Sequence, residues 1–321
     1  EHHVHTVEQL NERIAAGEFP AIVRETDHFY KEDITTAAEM IKDWRQRVRL
    51  VLITGPSSSG KTTTTTKLSH LLRQAGIHLK PLAVDNYFFD LELHPKDEFG
   101  DYDFETPQAL DLDLINEHLQ RLLAGEEVMI PFYDFQTGKR HEAQTAMKVG
   151  PDEMILIDSL HGLYPDMTEG IDDETKFKLY VEPLLQMKGP DEQYVRWTDL
   201  RLMRRMVRDA NFRAYDPERT LGHWHYVRKS EMRNIIPYAN TADHIINTGL
   251  PYELPVMKAR LFDHFQAWVE RYEDDPLRQD AFARAQRVHH LLSAVTAVED
   301  ESPIPPDSLL REFIGGSCYD Y

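Results

Sequence analysis

The sequence predicts an α/β fold, a doubly wound and mostly parallel sheet with helical extensions before and after it. Three observations carry that prediction. Short β-rich runs alternate with helical segments from Val48 to about residue 250, a glycine-framed loop joins the first run to the first helix, and both flanks have helical spacing.

Taken in order, residues 1–47 read as a helical lead-in, with helical spacing over Val7 to Ala16 and Thr35 to Arg47. The core, 48–250, holds the runs RLVLIT, HLKPLAVD, MILID, FKLYVE and DHIINT, with helices expected over Thr62 to Gln74 and Pro107 to Ala124. Between about 199 and 233 the chain turns helical and arginine-rich. Arg201, Arg204 or Arg205, and Arg208 recur at i, i+3/i+4 and i+7, so they share one helix face. Residues 251–321 read as a helical extension, Val256 to Glu270 and Leu277 to Val298, followed by a loop-like tail in which Gly315 and Gly316 allow a tight turn. These last helices either cover the sheet edge or build a subunit interface, which leaves a homo-oligomer open.

Composition excludes several classes of protein. A chain of 321 residues with 41% hydrophobic and 28% charged residues can bury a substantial core. Its net charge of −19 argues against nucleic acid or an anionic membrane as partner, so an anionic ligand needs a local basic site. The single cysteine, Cys318, excludes an intrachain disulfide framework and a multi-cysteine zinc site. No apolar run approaches the ~20 residues that span a bilayer, and EHHVHTVEQL lacks a signal-peptide core; a cytoplasmic, soluble protein is expected. His2, His3 and His5 read as a tag remnant or, less well, a metal trio. Because the chain opens at Glu1, further residues are expected upstream.

The loop Gly55-Pro56-Ser57-Ser58-Ser59-Gly60-Lys61-Thr62 follows a strand and opens a helix, the context that a phosphate-binding P-loop requires. Gly55 and Gly60 let the backbone curl so that the N–H groups from Ser57 to Thr63 face phosphates, and the helix N-terminus adds partial positive charge. Lys61 is expected on the β- and γ-phosphates and Thr62 on Mg²⁺, with ATP as donor. The loop alone does not choose a reaction, but neither an Asn-Lys-x-Asp guanine reader nor a Leu-Ser-Gly-Gly transporter signature is present, which favours a small-molecule kinase.

Read with LAVDNYFFD, DYDFETPQALD, PFYDFQTGKR and TDLRLMRRMVRDA, in that order, the loop belongs to a pattern that resembles the uridine kinase family of nucleoside kinases over about Arg49 to Gly249. The ending REFIGGS and the flanking helices are most similar to the longer bacterial members, in which the kinase often follows a region similar to part of threonyl-tRNA synthetase. The resemblance implies the P-loop kinase fold and transfer of the γ-phosphate of ATP to the 5′-hydroxyl of a nucleoside. It implies Asp85 as catalytic base, Tyr87 on the substrate side, Asp158 as the Mg²⁺-holding acid, and Glu105 on the ribose hydroxyls. Tyr133 and Phe135 would flank the base, with Arg140 in the same loop; core aromatics and a surface arginine are the plain alternatives. Arg201, Arg204 and Arg208 would contact phosphates as part of a helix and its lid, Arg204 and Arg208 as catalytic residues beside Asp85 and Lys61, and Arg201 on the substrate.

The sequence departs from the family at three places. Its base-reading His is replaced by Gly138, and a Gln near the base by His223; the family's Glu-Gly at the metal acid is Asp158-Ser159. Base preference is therefore not carried over. A sugar or sugar-phosphate kinase in the manner of phosphoribulokinase is the nearest alternative, and a nucleotide-binding regulatory or RNA-associated module without turnover is a third.

Overall fold

The computed structural model describes residues 4–96, 100, 102–213 and 215–320; His2 and His3 of the N-terminal trio lie outside them. Its centre is a five-stranded sheet of β1 (Leu50–Thr54), β2 (His78–Pro81), β5 (Glu153–Asp158), β6 (Lys176–Glu182) and β7 (His244–Asn247). The order is β2-β5-β1-β6-β7, and every pairing is parallel. In the central strand, side-chain alternation sends Val51 and Ile53 to one core and Leu50 and Leu52 to the other, which is why LVLIT is apolar throughout. The doubly wound reading therefore holds.

Helices cover both faces. On the first lie α1 (Val7–Ala15), α2 (Phe19–Asp43), α3 (Lys61–Gln74), α5 (Trp197–Arg213), α6 (Pro217–Asn234), α7 (Glu253–Tyr272) and α8 (Gln279–Ala294). The second carries α4 (Leu112–Leu123) and a hairpin of β3 (Val128–Asp134) and β4 (Lys139–Met147). Apolar residues of the lead-in, such as Ile22 and Ile34, and of the C-terminal helices, such as Phe265 and Leu292, enter the same core as β1.

Four local readings change. The lead-in's second helix starts at Phe19, sixteen positions before the expected Thr35, because Phe19, Ile22, Val23, Thr26, Tyr30 and Ile34 keep one buried stripe. The helix expected from Pro107 breaks into a short 3-10 turn and then α4, whose first turn is capped by Asp111 accepting from the Leu114 N–H at 3.1 Å. Residues 128–147, to which the sequence pattern assigns no strand pair, form the β3–β4 hairpin. The tail contains a one-turn helix, α9 (Arg311–Ile314), ended by Gly315 and Gly316 at positive φ.

Where α2, α7 and the tail meet, the Tyr252 hydroxyl donates to Asp27 Oδ1 at 2.6 Å and lies 2.7 Å from Ser308 Oγ. Burial pushes the Asp27 carboxyl up to about 6, against the pull of the Tyr252 hydrogen bond. A raised carboxyl favours the folded state while protonated, so its contribution is lost as pH rises from about 4 to about 6. Asp27→Asn should therefore match the parent near pH 4 and exceed it by about 2 kcal/mol at pH 7. Denaturant melts across that range test this; a difference independent of pH would refute it.

Candidate active site

β1 delivers the phosphate loop. A Cβ on Gly55 would lie 2.2 Å from the Val181 carbonyl oxygen, so only glycine allows the loop to run this close to β6. Gly60 has φ 93° and its Cβ would meet Leu309 Cδ1 at 2.7 Å. Ser58, between them, also takes a left-handed φ of 58°. The Ser58 and Ser59 hydroxyls are buried without a hydrogen-bond partner, the pattern expected where a polyanion supplies the missing acceptor. Lys61 folds back so that Nζ donates to the Gly55 carbonyl at 2.9 Å. Burial lowers its pKa, and the charges of Asp158 and Glu312 oppose that shift.

Three carboxylates stand around this loop at the C-terminal ends of the strands. Asp158 closes β5 and its Oδ2 accepts from the Thr65 hydroxyl at 2.8 Å, one helical turn beyond the exposed Thr62. Asp85 lies on the 3-10 turn Val84–Tyr87 past β2. Water reaches it, yet enough protein surrounds it that desolvation raises its pKa; Asp158 pushes the same way and Lys61 opposes. Glu105 is half-buried, with Oε1 3.8 Å from Arg205 Nη1; desolvation raises its pKa and Arg205 opposes.

Two mutually repelling carboxylates beside a free threonine hydroxyl fit a divalent cation, which would relieve that repulsion. Among the described residues no group of three or more His, Cys, Asp or Glu could hold a metal by itself. Asp158 and Thr62 would thus supply only part of a Mg²⁺ shell, the remainder coming from phosphate and water. The buried His161, between this cluster and the Glu105 loop, is held neutral, with its pKa pushed down to about 4 by burial.

The arginine face divides in a way its spacing does not reveal. Arg201 is fully buried, donates to both oxygens of Glu231 at 2.6 and 2.9 Å, and reaches the Ser57 carbonyl at 3.0 Å. Arg204 is equally buried, clamped by Glu253 at 2.6 and 2.9 Å and by the Thr248 carbonyl at 2.6 Å, with the Ser59 carbonyl at 3.4 Å. The expectation that Arg204 is catalytic and that Arg201 touches substrate is corrected, because both guanidiniums are enclosed and brace the loop from behind. Arg205 instead reaches the Ser57 hydroxyl at 3.2 Å, beside Glu105. Arg208 donates to Asp209 at 2.9 Å, and its charge acts on Lys61 and Glu312.

On the acceptor side fewer expectations meet. Tyr87 is a core residue with its hydroxyl 2.8 Å from His118 Nδ1, which corrects its assignment to substrate. Tyr133 is also buried, packed edge-on to Phe135 at 4.9 Å, and only the Phe135 ring is exposed. Arg140 is engaged by Asp111 at 2.9 Å and Glu142 at 2.7 Å. His223 is exposed on α6, two turns before Ser230, whose hydroxyl donates to the Glu105 carbonyl. Gly138 closes the β3–β4 turn at φ 66°, and a Cβ there would meet Leu91 Cβ at 2.8 Å; no base-reading side chain fits.

Sequence reasoning missed Glu312. Its carboxylate, 6% exposed, accepts from the Thr63 N–H at 3.1 Å and the Thr63 hydroxyl at 2.6 Å. Nothing in the composition of the REFIGGS ending points across 249 positions to the loop.

Residues 50–253 match the model of the Phosphoribulokinase / Uridine kinase family. A uridine kinase of Deinococcus deserti is 28% identical over 212 residues, 65% of this chain and 93% of that one. A uridine kinase of Schizosaccharomyces pombe is 29% identical over 196 residues, 60% of this chain and 38% of its own. Among solved structures, a "possible uridine kinase" of Bacillus stearothermophilus covers 67% of this chain and 98% of its own, at 18% identity and a TM-score of 0.43. No helix among the described residues is long and apolar enough to cross a membrane.

Proposed function

We propose, for a chain that belongs to the phosphoribulokinase / uridine kinase family and is by that membership a kinase, transfer of the γ-phosphate of ATP to the 5′-hydroxyl of a nucleoside. The observation that carries this reading is Asp85, an exposed carboxylate just past β2 on which the charges of Asp158 and Lys61 act, with a raised pKa suited to taking a hydroxyl proton. Mg²⁺ at Thr62 and Asp158 would neutralise phosphate charge when bound. Asp85 takes the proton as the acceptor oxygen bonds to the γ-phosphorus and the bond to the leaving ADP oxygen breaks. Lys61 and Arg208 would meet the charge on the transferring group, and Glu105 could accept from two vicinal hydroxyls.

Arg205 beside Glu105, together with the buried Tyr87 and Tyr133, favours a second reading, in which the acceptor is a sugar or sugar phosphate that brings no base to stack. The test is product analysis with ATP and Mg²⁺ against a panel of nucleosides, pentoses and pentose phosphates. A nucleoside 5′-monophosphate as main product supports the first reading and a pentose bisphosphate the second. ATP binding without turnover on any acceptor would leave only a nucleotide-binding module.

A further inference from the structure

The N-terminus of α3 already holds an anion. Of the N–H groups in its first turn, which the P-loop reading assigns to phosphate, that of Thr63 donates instead to Glu312, and the Thr63 hydroxyl donates to the same oxygen. Burial raises its pKa, while the hydrogen bonds from Thr63 and the charges of Arg208 and Lys61, two cations that a triphosphate would use, favour the carboxylate form. Around it the tail is fitted to the loop: Leu309 packs against Gly60, and Phe313 lies under the Arg204 guanidinium at 5.2 Å. Glu312 lies outside residues 50–253, the segment that the family model matches.

We propose that Glu312 is a resident stand-in for a phosphate oxygen, a residue of the C-terminal tail that sets donor-nucleotide affinity by competing for the N-terminus of α3. One N–H makes one strong hydrogen bond, and two anions sharing one donor repel at short range. A nucleotide phosphate therefore reaches Thr63 only as Glu312 withdraws, and α9, held by Leu309 and Phe313, withdraws with it. This rests on the reading of the loop as a nucleotide site.

The test is calorimetric titration of the full chain with a non-hydrolysable ATP analogue and Mg²⁺, comparing the parent with Glu312→Gln. Glutamine keeps the shape and can still accept from Thr63, but it carries no charge. The variant should bind about tenfold tighter, the scale of one charge at a helix N-terminus. In the parent, backbone amides of residues 309–314 should exchange faster once nucleotide saturates the site, a measurement that needs no variant to fold. Equal or weaker binding by Glu312→Gln, or unchanged exchange in the tail, overturns the proposal while leaving the nucleotide reading intact. Absence of binding by either form overturns both.

Discussion

Asp85→Asn is expected to lower kcat by about a thousandfold, within the range of ~10²–10⁴ that a positioned general base contributes. Asparagine preserves the shape of the side chain but cannot take the acceptor's proton. The KM for ATP should change little, because the proposed mechanism gives the phosphates to Lys61 and the loop backbone, not to Asp85. Desolvation and Asp158 both disfavour the charged form of Asp85, so removing the charge should leave the melting temperature equal or higher, which separates a chemical defect from misfolding. The same raised pKa puts the acidic limb of the parent's kcat/KM profile above the ordinary carboxylate range. Activity should fall as pH drops through it and Asp85 takes up a proton. Steady-state kinetics from pH 5 to 8 would decide, and turnover within about threefold of the parent would remove Asp85 from the base role.

Arg204→Met should cost stability on the order of 3–5 kcal/mol, the usual consequence of breaking one side of a buried ion pair. Arg204 and Glu253 are both fully enclosed and joined by two hydrogen bonds, while Glu253 also accepts from the Leu250 N–H at 3.1 Å. Methionine fills much of the space but leaves Glu253 charged and without its partner. Arg204→Met/Glu253→Met, which removes both charges, should recover a substantial part of the loss. Nucleotide affinity should fall with the single variant, because Arg204 and Thr248 back the Ser59 carbonyl from behind the loop. Denaturant melts of the three proteins provide the check, and a single variant within about 1 kcal/mol of the parent would show that the pair does not brace the loop.

Arginine spacing illustrates where sequence reasoning stops. The i, i+3/i+4, i+7 pattern correctly places one face on α5, yet Arg201 and Arg204 are buried in carboxylate clamps while Arg205 reaches the Ser57 hydroxyl beside Glu105. Adjacent helical positions point about 100° apart, so the choice between 204 and 205 depends on which neighbours fill each direction. Glu231, Glu253 and Thr248, on three separate elements, make that choice. Similarly, Tyr133 and Phe135 fall two apart, but Tyr133, on β3, is covered by Phe88 and His94, while Phe135, in the turn after it, extends beyond them.

What the sequence determined by itself was the sheet, the helix after its first strand and the phosphate loop, because these follow from short-range rules: alternation of apolar residues, and glycines where the backbone turns left-handed. Only the tertiary structure decided which arginines brace the loop, why Gly138 leaves no room for a base-reading side chain, and that Glu312 sits on Thr63. Each depends on atoms brought together from distant parts of the chain, and such contacts leave no period or spacing in the sequence to read.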